Sequence, residues 1–411
     1  MDMQVGPILS ALRRHKAGAV LIALQVALTL AILCNALFIV HQRLSHLSEP
    51  TGLDEANIFV IQNEWAGKAS YAQLDAEARA DLEVLRRLPG VADVTTSNSY
   101  PLRGAGWDDG IRLRPGQLTD TTGATVYFAD EHFVRTLGLK LVAGRDFRAG
   151  EIGVMAAQDR LDPAQVIITR ALADTLFHGD GAVGRTLYLA GNPATIVGVV
   201  ERLQAQSVAR WAADFAHRVV IVPRRLTSTL GTYYIVRTHP GQLAAAMRAA
   251  PAALVARNPR RMFDPRMGVL SFAQVRERAY ESDRGMATLM GVISAVLLAI
   301  TAAGIVGVTS FRVGQRRRQI GVRRALGATR RDIVRYFLVE NLLVSGGGIL
   351  LGVLLALAMN LWLILRFGMQ GLSPTYLAAG VAVLLLLGQA AALAPALRAS
   401  RVPPVEATRA G

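Results

Sequence analysis

The side chains able to do chemistry in this chain are few, and their spacing serves no familiar reaction. A phosphate cradle needs Gly-x-x-x-x-Gly-Lys-Ser/Thr, so that backbone N–H groups and a lysine surround the anion. The one Gly-Lys pair, Gly67-Lys68, is followed by Ala69. The seven histidines form no His-Glu-x-x-His, and no Gly-x-Ser-x-Gly turn presents a nucleophilic serine. A lone Cys34 can build neither a zinc site nor an intrachain disulfide. Glu131-His132, the one acid–histidine neighbour pair, reads as structural. Neither a cofactor, a metal nor an enzymatic activity is expected.

What the chain offers instead is arginine in a patterned setting. Nine arginines lie from Arg312 to Arg335, eight of them within the stretch Gln315–Glu340. A basic helix is predicted to run to Leu326, Gly327 to stop it in the left-handed conformation, and Thr329 with Asp332 to form a capping box that starts another helix. Ile320, Val322, Ala325 and Leu326 give the basic helix an apolar patch suited to a membrane interface or a protein partner, and Gly321 permits close approach. A basic loop beside a membrane is also what topology alone demands, so both readings stand at this point.

The elements around this stretch follow from charge-free runs. No Asp, Glu, Lys or Arg interrupts Ala17–Val40, Gly285–Phe311, Asn341–Leu365 or Phe367–Leu397, and about 20 apolar residues suffice for a helix to cross a bilayer. The reading is a membrane protein with four transmembrane α-helices at 17–40, 285–311, 338–365 and 375–396. The first run exceeds a signal-peptide core and lacks a small-x-small cleavage site, so it is expected to remain as an anchor.

Cations then set the orientation, because lysine and arginine mark cytoplasmic flanks. Arg13, Arg14 and Lys16, the nine arginines of the 312–337 connection, and Arg398, Arg401 and Arg409 meet only Asp2, Asp332 and Glu406, whereas residues 41–284 carry 29 basic against 26 acidic side chains. The net charge of +15 is therefore read as topology and not as a nucleic-acid partner. The tails 1–16 and 397–411 are expected in the cytoplasm and residues 41–284 outside it.

Residues 41–284 read as a large α/β domain, in two lobes, inserted between the first two membrane helices. Strand-like Ile58–Gln62, helical Leu74–Leu88 and strand-like Val91–Thr95 open it. Short β-rich runs follow at Thr125–Phe128, Gln165–Thr169, Thr186–Leu189, Thr195–Val200, Arg218–Val222 and Thr232–Arg237. Leu243–Ala256 is predicted helical, a last strand falls near Met267–Ser271, and Phe272–Asp283 is a polar helical approach to the membrane.

Within the membrane, Gly304, Gly307, Gly348 and Gly352 are candidates for close helix packing, either inside one subunit or between two. Asn35 and Asn360 are expected to face other helices, since an amide facing lipid is costly. No acid or histidine sits at mid-membrane to carry protons.

The stretch Arg316–Thr329 resembles the signature of MacB-type and FtsX-type ABC permeases, R-x-x-E-I-G-x-x-R-A-L-G-A-T/S. Arg316 and Arg324 match its basic positions, Ile320, Gly321, Ala325, Leu326, Gly327 and Ala328 its centre, and Thr329 its turn; Gln319 stands where the family usually has Glu. The resemblance implies that Gln319–Ala328, Val322 included, form a coupling helix seated in a groove of the ATPase. Leu88–Val91, Leu141–Phe147 and Ala194–Val200 resemble pieces of the MacB periplasmic domain, and Pro395-Ala396, Pro404 and Ala407–Arg409 the C-terminal run.

The family implies further partners: a separate ABC ATPase that supplies hydrolysis in trans, a second permease, identical or paralogous, and, for export, a membrane-fusion adaptor and an outer-membrane channel. Efflux of a periplasmic substrate is the leading expectation. The alternatives are FtsX-like mechanotransmission to an extracytoplasmic enzyme and, from another class, a membrane receptor. The short cytoplasmic segments speak against the receptor.

Overall fold

In the computed structural model of the chain, the described residues are 16–47, 49–66, 69–208, 210–228, 231–367 and 371–403. The expectations placed on Asp2, Arg13, Arg14, Gly67-Lys68, Pro404 and Glu406–Arg409, and on the side chain of Lys16, lie outside them. The helices are, in chain order, α1 (Lys16–Leu47), α2 (Tyr71–Arg86), α3 (Phe133–Leu137), α4 (Arg170–Phe177), α5 (Leu243–Arg257), α6 (Phe272–Ala279), α7 (Glu281–Gln315), α8 (Arg317–Ala325), α9 (Arg330–Phe367) and α10 (Pro374–Ser400). Two compact units result: Glu49–Glu281 forms one, and the chain on either side of it forms the other.

In the second of these, α1, α7, α9 and α10 are each long and apolar enough to cross a membrane. They are apolar around most of their circumference, as helices immersed in lipid must be. Their inner faces share one core: Ile22, Val26, Leu30 and Leu33 of α1, Ile305 of α7, Val344, Ile349 and Ala356 of α9, and Leu384 and Ala392 of α10. The α1 positions recur at helical spacing. Outward leucines such as Leu350, Leu354 and Leu386 remain more than 60% exposed, which is the ordinary fate of a lipid-facing side chain.

The unit Glu49–Glu281 holds two principal sheets with separate cores. In the five-stranded sheet, Ile58–Trp65 pairs antiparallel with Thr232–Thr238, which pairs antiparallel with Val91–Ser97; Arg261–Met262 and Val269–Ser271 complete the other edge. Leu82 and Leu85 of α2 and Ala246, Ala250 and Leu254 of α5 pack on Phe59, Ile61, Val94 and Val236. The i, i+4, i+8 spacing in α5 sets a single stripe against the sheet. Ser70 and Gln73 form a capping box at the start of α2.

The seven-stranded sheet closes on itself. Neighbours run Leu141–Gly144, Asn192–Val200, Gln165–Thr169, Val219–Val222, Thr122–Phe128, Trp107–Arg112 and Thr186–Leu189, and this last strand pairs back onto Asn192–Val200. Six strands thus make a barrel, and Leu141–Gly144 extends it. Alternate residues fill the interior: Ala124, Val126 and Phe128; Val166 and Ile168; Leu187 and Leu189; Ala194 and Ile196; Val220 and Val222. A period of two on every strand is what a closed sheet with a packed interior requires.

The strands at 107–112, 141–144, 153–156, 224–227 and 261–262 go beyond the sequence expectation. The polar approach to the membrane is also interrupted: α6 ends before Tyr280, whose φ of −108° and ψ of 11° leave helical geometry ahead of α7.

Candidate functional site

The arginine-rich connection is built as its local sequence dictates. Arg316, at φ −103° and ψ 12°, separates α7 from α8. Gly327 adopts φ +98°, a conformation that favours glycine. Its N–H reaches Arg324 O at 3.2 Å, and Ala328 N–H reaches Arg323 O at 3.1 Å. Thr329 then starts α9: its hydroxyl and its N–H both donate to Asp332 Oδ2, at 2.7 and 2.9 Å, and Asp332 N–H returns to Thr329 Oγ1 at 3.3 Å.

This elbow has an inner and an outer face. Ile320 and Gly321 are buried, and Ile320 packs with Ile333, Phe337, Ala396, Ala399 and Val402, with Ala328 partly buried beside them. Gly321 thus serves the chain's own packing. Gln319, Val322, Ala325, Leu326, Gly327 and Thr329 are exposed, Leu326 to 83%. Leu326, the C-cap of α8, and Val322 are thus the large apolar side chains of the elbow that its own packing leaves uncovered.

The two arginines at signature positions are engaged within the chain. Arg324 Nη1 donates to Val402 O at 2.6 Å. Arg316 Nη1 donates to Tyr336 Oη at 2.9 Å and to Glu340 Oε2 at 3.0 Å, while Arg312 Nη1 meets Glu340 Oε1 at 3.3 Å. Glu340 is 2% exposed, so its charge is tolerable because two guanidiniums surround it. Arg323 lies over the Tyr336 ring, 5.0 Å from its centre. Glu340 and Tyr336 were not singled out by the sequence. The available signal was one acid at the mouth of an apolar run, opposite arginines four residues apart.

Three of the four packing glycines work inside the subunit. A Cβ on Gly348 would lie 2.6 Å from Ala23 O, and one on Gly352 2.9 Å from Ala27 O, so α9 rests against the backbone of α1. A Cβ on Gly304 would meet the Gln25 amide of α1, and one on Gly307 would meet nothing within 4 Å. Asn35 Nδ2 donates to Ala31 O at 2.9 Å and Ala356 O at 3.3 Å, Asn360 Oδ1 accepts from Leu372 N–H at 3.0 Å, and the hydroxyls of Thr29 and Thr301 join α1 to α7 at 2.8 Å.

In the unit Glu49–Glu281, buried carboxylates tie helices and loops to the five-stranded sheet. Asp93 takes Arg135 Nε at 2.6 Å and His132 Nδ1 at 2.8 Å; burial alone would raise its carboxyl, but the Arg135 hydrogen bond and the nearby histidine carry it below the ordinary aspartate value. Asp130 accepts from Thr95 Oγ1 at 2.6 Å, and there burial prevails and raises the carboxyl. His132 therefore faces Asp93 in a network that joins α3 to the five-stranded sheet. Deep in that sheet, Asp81 takes both Arg261 and Arg257 and the Tyr234 hydroxyl. A cleft of about 550 Å³ is lined by Lys140, Arg170, Asp174, Glu201, Arg202 and His217, with Lys140 and Glu201 paired at 3.0 Å.

Comparison with known proteins agrees with this architecture. The MacB-like periplasmic core domain matches residues 20–254, and the FtsX-like permease C-terminal domain matches residues 291–404. The chain is 25% identical, over 88% of its length, to the Macrolide export ATP-binding/permease protein MacB of Bordetella avium, 52% of which it covers. It is 24% identical, over 71% of its length and 71% of the relative, to the ABC transporter permease YvrN of Bacillus subtilis. It thus spans about half the length of several MacB relatives. Among solved structures, the periplasmic region of MacB from Actinobacillus actinomycetemcomitans matches 57% of this chain and 97% of its own at 14% identity and a TM-score of 0.34. With a four-helix membrane unit, a large α/β periplasmic domain between its first and second helices and both family domains in order, the chain belongs to the MacB/FtsX-type family of ABC transporter permeases.

Proposed function

We propose that this permease is a mechanical subunit, in which a separate ABC ATPase docks on the outer face of α8 and its closing on ATP moves the periplasmic domain. The carrying observation is the two-faced elbow: Ile320 and Gly321 are buried while Leu326 is 83% exposed. Gln319, Val322, Ala325 and Leu326 make the contact. Arg316 and Arg324 hold the elbow to the chain, Gly327 and Thr329 fix its turn, and Ala328 seats it. The push enters α7 through Arg312 and α9 through Glu340, so it reaches membrane helices without passing through a flexible tether.

Both termini and the elbow are cytoplasmic in this reading, and the motion requires two permeases, identical or paralogous, so that a pair of ATPases has two elbows to grip. The relatives named as macrolide exporters favour efflux of a periplasmic substrate, with a membrane-fusion adaptor and an outer-membrane channel completing the path. Affinity purification from native membranes under mild detergent, with and without trapped nucleotide, tests the assignment. An ATPase co-purifying in a Leu326-dependent manner supports it, an adaptor beside it supports export, and absence of any ATPase in both conditions overturns it.

A further inference from the structure

Between the start of α9 and the end of α10 lies a groove of about 440 Å³ lined by Arg330, Arg331, Val334, Arg335, Leu338, Val339, Leu397, Ser400 and Arg401. Its chemistry is divided along its length. Arg330, Arg331, Arg335 and Arg401 are exposed at one end, and among the described residues no carboxylate comes within ion-pair distance of any of them, while the neighbouring Asp332 is taken by Thr329. Towards the middle of the helices the walls become Val334, Leu338, Val339 and Leu397. From Arg331 to Val339 the groove climbs about 12 Å along α9. Just beyond it, Leu342 and Leu343 stand exposed on α9.

Four exposed guanidiniums at the end of two membrane-spanning helices, with Asp332 near Arg335 the one carboxylate among the described residues acting on any of them, call for an anion, and the apolar half of the same groove calls for a hydrocarbon chain attached to it. We propose that this groove is a binding site for an anionic phospholipid, with the phosphate among Arg331, Arg335 and Arg401 and an acyl chain along Leu338, Val339 and Leu397. Arginine matches phosphate through paired N–H donors, and basic pockets between membrane helices suit such head groups. A water-soluble acidic surface would satisfy the arginines and leave the apolar wall uncovered. The proposal rests on the helices spanning a membrane and is independent of what docks on α8.

The test uses the full chain purified in detergent. Co-purifying lipid is quantified by mass spectrometry, and fluorescent phosphatidylglycerol and phosphatidylcholine are titrated in mixed micelles. Phosphatidylglycerol is expected to bind in preference, and Arg331→Gln/Arg335→Gln/Arg401→Gln to weaken it about 100-fold, the loss that three surface cations represent. Leu397→Trp, which fills the groove without changing charge, is expected to weaken it as well and decides the matter if the triple variant fails to fold. Arg318→Gln, on the exposed side of α8, is expected to leave it unchanged. Equal binding of phosphatidylcholine, equal loss in Arg318→Gln, or full displacement by inorganic phosphate would overturn the site. So would a triple variant that keeps its lipid but loses the ATPase.

Discussion

Glu340 Oε2 accepts from Arg316 Nη1 at 3.0 Å, across 24 residues of chain that leave the membrane helix α7, make the elbow and return in α9. The other carboxylate oxygen takes Arg312 at 3.3 Å. One acid thereby closes the base of the elbow, and the two arginine side chains that it joins are 11% and 14% exposed.

Removing it leaves two guanidiniums facing each other in a poorly solvated place. Breaking a buried ionic cluster from one side costs about 3–5 kcal/mol. Glu340→Ala is expected to lower the detergent-phase melting temperature and to open the elbow to protease, with Glu340→Gln intermediate. A melting curve and a cleavage map superimposable on wild type would show that the cluster does not hold the elbow.

Leu326 and Gly321 are expected to separate docking from folding. Leu326→Glu changes an exposed side chain, so its effect on stability should stay within about 0.5 kcal/mol while capture of the ATPase is lost. Gly321→Glu forces a charge into the elbow's buried face and should destabilise the chain first. Melting curves beside pull-down yields decide this, and a Leu326→Glu chain that still captures the ATPase removes α8 as the contact.

The glycines make a contrast of their own. Gly348→Leu drives a side chain into the backbone of α1 at Ala23, an overpacking that costs about 1–3 kcal/mol, whereas Gly307→Ala enters open space. Thermal scanning of the two variants in one detergent checks the ranking, and equal melting temperatures would mean that α9 does not rest on α1 as described.

Acid sensitivity of the periplasmic domain has an identifiable contributor in Glu151. Its carboxylate takes both Nη atoms of Arg145, at 2.8 and 2.7 Å, and the Arg148 N–H at 2.9 Å. The Arg145 hydrogen bonds first, against a small burial cost, bring it from 4.5 down to about 2. A depressed folded value means that the stabilisation is complete above 4.5 and is lost as pH falls towards 2. Denaturant melts from pH 6 to 2 should show Glu151→Gln less stable at the upper end and converging on wild type at the lower. A constant gap across that range would contradict the linkage.

Much of this architecture was legible because its causes are local. Charge-free runs marked the four long helices, and Gly327, Thr329 and Asp332 lie within six residues of one another, so the turn and cap could be read directly. Most core strands announced themselves through β-branched runs such as Gln165–Thr169. Trp107–Arg112 did not, because Asp108-Asp109-Gly110 opposes strand formation; it forms because Thr125 Oγ1 donates to Asp108 at 2.6 Å and because it has a pairing partner on each side. Barrel closure by Thr186–Leu189 and the Glu340 cluster arise between distant segments, where no local pattern reports them. For the same reason Gly321 reads equally well as a contact or as a core residue until its surroundings are known.

The approach of Gly348 and Gly352 to Ala23 and Ala27 also divides the bundle kinematically. Two helices whose backbones touch translate and tilt as one body, because sliding past each other would first require them to separate. Helix α7 is held through side chains instead: among the four its most apolar window is the least buried, at 17%, and it meets α1 through the Thr29–Thr301 hydroxyl pair and Gly304 against Gln25 and α9 at its base through Arg312 and Glu340. Under the proposed mechanism, spin labels on α1 and α9 should keep a fixed separation on ATPase engagement while the distance from α1 to α7 changes, with α7 as lever and the α1–α9 pair as frame.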